Sequence, residues 1–297
     1  MTAFYYALTV LIWGTTWIAI KFQLGIVPVE ASIVYRFVIA GLVLVAVLAL
    51  TRRLRLIPLA HQPFILLQAL CLFSCNFLCF YVATRYVPSG IVSVVFSAAT
   101  IFNLLNAFLI HGRRPAPRLL MGAALGVVGI ACLFRDTVAA AQWSPQTAIG
   151  LGLSLLGTAF FSAGNMVSAR NHAQGLPVAL VNGWAMLYGA AIVACVAALR
   201  GIPFDFDTSA QYLGSLLYLA IPGSVIGFTT YLTVVHRLGP ERAAYMTVLF
   251  PVVALTLSVF LEASRFTPLA VLGLAAVMLG NVLVLTRVGS NLPRRAA

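Results

Sequence analysis

Amides and aromatic rings lie four residues apart in otherwise apolar sequence, at Asn76 and Phe80 and again at Phe161 and Asn165. At that spacing two side chains share one face of a helix. Phe96, Thr100 and Asn103 make a third such face and Trp13 and Trp17 a fourth, while Tyr231 and Tyr245 add two phenol groups. A buried amide must be hydrogen-bonded, either to a neighbouring helix or to the contents of a wet cavity. Because the set is spread over several apolar stretches, one shared cavity is the simpler account. Aromatic walls with a few convergent polar groups suit a small, partly apolar ligand. The predicted substrate-binding residues are therefore Trp13, Trp17, Asn76, Phe80, Phe96, Thr100, Asn103, Asn165, Tyr231 and Tyr245.

The charged groups exclude other chemistries. Charge within a membrane is costly and usually functional, yet no Asp or Glu falls in the middle of an apolar stretch. A carboxylate proton relay is disfavoured, and a strongly cationic ligand finds no counter-charge. Phosphates call for clustered Lys or Arg. Here the basic residues inside apolar stretches are Lys21 and Arg36, each predicted about one turn from the outer surface. They are expected to snorkel to the interface or to form an outer-gate ion pair with Glu30. Enzyme motifs are absent: no His-x-x-x-His, no Gly-x-Ser-x-Gly, no carboxylate pair. Cys71, Cys75 and Cys79 share one helix face and read as small packing residues, not as a metal stripe. His61, His111, His172 and His236 sit at loops or helix ends. Neither a metal nor a cofactor is expected.

The elements that must position these groups are membrane helices. Of 297 residues, 62% are hydrophobic and 8% charged, far from the roughly 25% charge of a soluble domain. The lipid bilayer is thus the expected surrounding. The net charge of +12 sets topology and does not mark a nucleic-acid partner. Spans of about 20 apolar residues fall near 3–22, 31–50, 63–83, 90–110, 118–135, 148–168, 177–199, 212–234, 242–261 and 267–286, ten in all. With the N-terminus inside, twelve of the 18 basic residues face the cytoplasm, and five of the six acidic residues fall outside. Both termini are predicted cytoplasmic, in a multi-pass protein of the cytoplasmic (inner) membrane. The loops near 136–147 and 200–211 have room for a turn or a short interfacial helix.

Residues 84–134 align without a gap on residues 235–285, at an offset of 151. Gly122 falls on Gly273, Gly129 on Gly280, Pro117 on Pro268 and Arg114 on Arg265. Such repeats usually dictate architecture. Two five-span units follow, 1–140 and 141–297, and an odd number of spans per unit makes the repeat inverted, as in alternating-access carriers. The fold class is an all-α polytopic membrane protein of ten transmembrane helices in two inverted five-helix repeats. Gly122, Gly126 and Gly129 should meet Gly273, Ala276 and Gly280 at the twofold axis. Pro222 and Pro251, inside spans 8 and 9, are candidate hinges. The repeats supply a pseudo-symmetric partner internally, so a monomer is expected.

Span 1 carries Ile12-Trp13-Gly14-Thr15-Thr16-Trp17 and Ile20-Lys21, span 2 carries Arg36-Phe37-Val38-Ile39-Ala40, and Pro251, Leu261-Glu262 and Gly273 follow in spans 9 and 10. With the two repeats, this resembles the EamA-type transporters of the drug/metabolite transporter superfamily over nearly the whole chain. The halves differ: Thr100 stands where the second copy has Pro251, His111 where it has Glu262, and Leu180-Val181-Asn182-Gly183-Trp184 has no counterpart of Arg36. The resemblance implies export or uptake of amino acids, nucleobase-like metabolites or drugs. Together with the neutral cavity it points to small neutral or zwitterionic metabolites, amino acids first. Multidrug or nucleotide-sugar transport, or a flippase-like subunit, are the alternatives.

Overall fold

Prolines set where many of the helices begin. The proline ring fixes φ and pushes the preceding residue out of helical conformation. Pro28, Pro88 and Pro177 each stand directly before a helix, and Pro145 opens another behind Ser144, whose hydroxyl accepts the Gln146 N–H at 3.1 Å. In the computed structural model, residues 2–111, 117–118, 121–122, 124–126, 128–129, 131–132, 144–238, 243, 245–261 and 267–285 are described. Among them there is no strand.

The helices whose bounds lie within the described residues are α1 (Thr2–Phe22), α2 (Val29–Leu50), α3 (Leu59–Tyr86), α4 (Ser89–Phe96), α5 (Ala99–His111), α6 (Pro145–Ala173), α7 (Val178–Leu199), α8 (Ala210–Arg237), α9 (Tyr245–Leu261) and α10 (Pro268–Leu285). Among the described residues six are long and apolar enough to cross a membrane: α1, α2, α3, α6, α7 and α8. The fourth predicted span is broken in two, α4 and α5, by a turn at Ser97 and Ala98. Ser93 and Ser97 hydroxyls both donate to carbonyls three residues back, each at 2.6 Å, a local bond that competes with the helical ladder. Residues 201–209 hold no helix. Tyr35 ties this strap down, its hydroxyl reaching Phe204 O at 2.8 Å. The loop at 136–143 and Arg113, Arg114, Arg265, Glu241 and Glu262 lie outside the described residues.

Among the described residues two helices contain a stretch of π-helix, Ala69–Cys75 in α3 and Leu219–Ile226 in α8. Pro222 lies in the second, whereas Pro251 lies inside a continuous α9. Packing pairs recur. α2 runs along α7, α3 lies on α6 as α8 lies on α1, and α1 lies on α9 as α5 lies on α6. The π-stretch of α3 meets α7, and that of α8 meets α2. The glycine faces also meet reciprocally. A Cβ on Gly129 would stand 2.5 Å from Gly273 O, and one on Gly280 would stand 2.5 Å from Gly122 O. Only glycine permits backbones this close.

α2 and α7 also end alike. Gly201 (φ 65°) follows α7, with Gly201 N–H donating to Ala198 O (3.1 Å) and Ile202 N–H to Ala197 O (2.9 Å). Arg52 (φ 54°) follows α2 with the same two bonds, to Ala49 and Leu48. This is the left-handed cap usually given to glycine, here held by an arginine.

Candidate functional site

One stripe of α1 faces the middle of the bundle. Trp13, Thr16, Trp17 and Ile20 recur at three- and four-residue spacing and line a cavity closed by Arg36 of α2, Asn76, Phe77 and Phe80 of α3, Phe96 of α4, Phe161 of α6 and Phe228 of α8. About 420 Å³ of non-atom space lies between them, any open margin included.

Trp13 is the hub of the aromatic wall. Its ring centroid stands 4.8 Å from Phe228, 4.8 Å from Tyr231, 5.7 Å from Phe250 and 6.0 Å from Phe161. Such aromatic pairs contribute about 0.5–1.5 kcal/mol each beyond their buried area. Its indole N–H donates to Gly223 O in the π-stretch of α8 at 3.0 Å. Gly227 makes room for the ring: a Cβ there would lie 2.2 Å from Trp13 Nε1. Trp17 stacks edge-on to Phe80 (5.2 Å) and tilts against Phe96 (5.4 Å). Its Nε1 is buried with no partner, and so is Asn76 Oδ1.

Of the ten predicted binding residues, Trp13, Trp17, Asn76, Phe80 and Phe96 line the cavity. Tyr231 and Asn165 stand just behind it, the Asn165 amide donating to the Tyr231 hydroxyl at 3.1 Å. Thr100 and Asn103 hold helices together instead. Thr100 bonds Thr247 of α9 at 3.2 Å, and the Ser162 hydroxyl of α6 donates to Asn103 Oδ1 at 2.8 Å. The side chain of Tyr245 lies outside the described residues. Phe228, Thr16 and Phe77 are additions to the lining, and Phe250 stands against Trp13. Phe228 stands three residues before Tyr231, a helical-face spacing present in the sequence. Phe250 precedes Pro251 and carries no such signal.

Arg36 is not where depth along the helix placed it. It is buried, 2% exposed, in the third turn of α2, and does not snorkel. Its Nε donates to the Ser224 hydroxyl (3.0 Å) and its Nη1 to the Tyr81 hydroxyl (3.4 Å), and Tyr81 in turn donates to Gln23 Oε1 (2.6 Å). The guanidinium lies over Phe77, 4.5 Å from the ring centroid, a favourable cation–π arrangement. Glu30 pairs elsewhere, with Arg200 at 3.1 Å. The expected Arg36–Glu30 gate pair is thus corrected: three buried hydroxyl and aromatic neighbours hold the arginine inward, and Arg200 from the end of α7 takes the carboxylate. Lys21 Nζ donates to Thr84 O at 3.1 Å. Among the described residues no cluster of three or more His, Cys, Asp or Glu could hold a metal ion.

Known proteins share this frame. One crystal structure superposes with a TM-score of 0.70 at 19% identity over 95% of both chains, which is a likeness of fold. The inner membrane transporter YedA of Escherichia coli, itself uncharacterized, is 28% identical over 92% of this chain and 87% of its own length. A probable amino-acid metabolite efflux pump of Escherichia coli is 24% identical over 92% of this chain and 91% of its own. An uncharacterized transporter of Archaeoglobus fulgidus is 24% identical over 95% and 97%. The profile of the EamA-like transporter family matches residues 1–135 and again 148–286. With that match over most of its length, and apolar helices around a buried aromatic cavity, this chain belongs to the EamA-like transporter family.

Proposed function

We propose that this transporter carries small neutral or zwitterionic metabolites, amino acids foremost, by alternating access around the cavity between α1, α3, α4, α6 and α8. The observation that carries the reading is the cavity itself: aromatic walls, a few polar groups, and two buried polar atoms, Trp17 Nε1 and Asn76 Oδ1, without partners. Buried polar atoms are rarely left unbonded, so a ligand with both a donor and an acceptor is the natural complement. One relative, named as a probable amino-acid metabolite efflux pump, agrees.

The architecture we infer is ten spans in two inverted five-helix units, 1–140 and 141–297. Two family matches in tandem support it. So do the reciprocal contacts: in an isologous pairing residue i of one unit meets j of the other while j meets i. Gly129 against Gly273 and Gly122 against Gly280 follow that rule at the offset of 151. Pro222 and Pro251 are then the proposed hinges, both termini cytoplasmic and the protein a monomer. No catalytic step is assigned to it.

Counterflow in proteoliposomes tests the substrate class. Vesicles are loaded with unlabelled amino acids, without an ion gradient, and challenged with labelled ones in turn. Saturable uptake of apolar and aromatic amino acids is the expected result. Exchange of nucleosides or cationic dyes in their place would exclude the amino-acid reading.

A further inference from the structure

Among the described residues Arg36 is a buried cation with no anionic partner. Glu30 pairs with Arg200, and among the described residues Arg36 meets hydroxyls and rings. A guanidinium offers five N–H donors, and here two have acceptors, Ser224 Oγ and Tyr81 Oη. It also lines the cavity. A charge buried this way in an apolar helix bundle is costly. The fold nonetheless spends a π-turn serine and a Tyr81–Gln23 relay on orienting it.

We propose that Arg36 receives the carboxylate of the substrate, so that a free carboxylate next to an apolar body is the feature the cavity selects. The proposal rests on the carrier reading above and narrows it. A planar guanidinium matches a carboxylate with two parallel bonds. It is a single cation, since Lys21 is turned to the Thr84 carbonyl, and one charge suits a monocarboxylate better than a phosphate. Trp17, which lines the same cavity, has a second unpartnered donor in Nε1, and Asn76 an unpartnered acceptor in Oδ1 for an ammonium or amide N–H. Phe80, Phe96 and Phe161 leave an apolar wall for the rest of the molecule. Carboxylate, N–H donor and apolar body together describe an α-amino acid with an aromatic or aliphatic side chain. An amine or an amide lacking the carboxylate leaves the guanidinium unpaired.

The test uses purified full-length protein and two readouts, thermal stabilisation in detergent and counterflow in proteoliposomes. The probes are L-phenylalanine, 3-phenylpropionate, L-phenylalaninamide and phenethylamine, with the leucine series in parallel. The two acids should stabilise and exchange at least about tenfold more effectively than amide or amine. Arg36→Lys should keep part of that preference and Arg36→Gln should erase it. If Arg36→Gln fails to fold, the acid-against-amide comparison in the unaltered protein decides alone. Equal behaviour of acid and amide overturns the proposal and leaves the carrier reading standing. Acids that stabilise through Arg36 without being exchanged uphold the proposal and count against amino-acid transport. Silence of every probe in both readouts overturns it.

Discussion

The π-turns of α3 and α8 are built alike and used differently. Each carries a serine that donates five residues back along its own helix, Ser74 to Ala69 O (3.1 Å) and Ser224 to Leu219 O (2.8 Å). Each turn packs against the neighbouring long helix, α7 or α2. On the α7 side Ser74 also points its hydrogen at Gly189 O (3.2 Å). That contact is backbone to serine, shut to everything else. On the α2 side the Ser224 oxygen accepts from Arg36 Nε. One facing residue thus turns a packing device into a mount for a charge. π-turns are frequent at functional sites, and this pair shows that the turn itself is not the function. What faces it decides.

Five substitutions sharpen or break that contrast. The largest effect is expected from Gly227→Ala on the α8 side, since its Cβ would sit 2.2 Å from Trp13 Nε1 and 3.3 Å from Pro222 O. Expelling the indole from its bond to Gly223 and from its rings should cost about 3 kcal/mol and abolish exchange. Unfolding in mixed detergent and counterflow measure the two parts; a variant with normal exchange would show that Trp13 does not need its seat.

Next is Gly189→Ala on the α7 side. Its Cβ would meet Phe73 Cβ at 2.7 Å and Phe73 O at 3.0 Å, an overpacked backbone contact costing about 2 kcal/mol. Here the loss should be stability alone, with the order of substrates unchanged in whatever protein folds. A reordered substrate profile would mean that the two turns are not divided as described.

The serines themselves come third. Ser224→Ala strips a charged donor of its acceptor and should cost about 1.5 kcal/mol, with a several-fold fall in exchange rate. Ser74→Ala removes a neutral bond and should cost under about 1 kcal/mol, with exchange intact. Equal kinetic effects of the two would erase the contrast. The smallest effect has the opposite sign. Arg52→Gly relieves a left-handed residue at the end of α2, where α7 already has Gly201. Against the roughly 1–2 kcal/mol of left-handed strain stands the added freedom of glycine in the unfolded chain, leaving a gain of about 0.5 kcal/mol and unaltered transport.

Hydropathy and helical spacing located much of this. Apolar runs placed the helices, and the four-residue pairs found Trp13, Trp17, Asn76 and Phe80. Pattern could not distinguish an amide that faces a cavity from one that clasps a helix, because both require burial and a partner. Asn76 and Asn103 read alike, yet one lines the cavity and the other takes a bond from Ser162. Arg36 was misplaced for a related reason. Depth along α2 put it near the surface, but Ser224 and Tyr81, far away in sequence, hold it in. The π-turns left no trace, since one extra residue per turn leaves an apolar stretch apolar.

Trp13 and Trp17 are two of the four tryptophans of the chain, and both indoles are buried against other rings. They differ in one respect: Trp13 has a hydrogen-bonded N–H and Trp17 a bare one. The cavity therefore carries its own optical gauge. Admission of water should redden the emission of Trp17 first, before the Trp13–Gly223 bond is disturbed. With the remaining tryptophans replaced by phenylalanine, the colour of the light reports the wetting of the cavity, and the order of the two shifts dates the movement of α8.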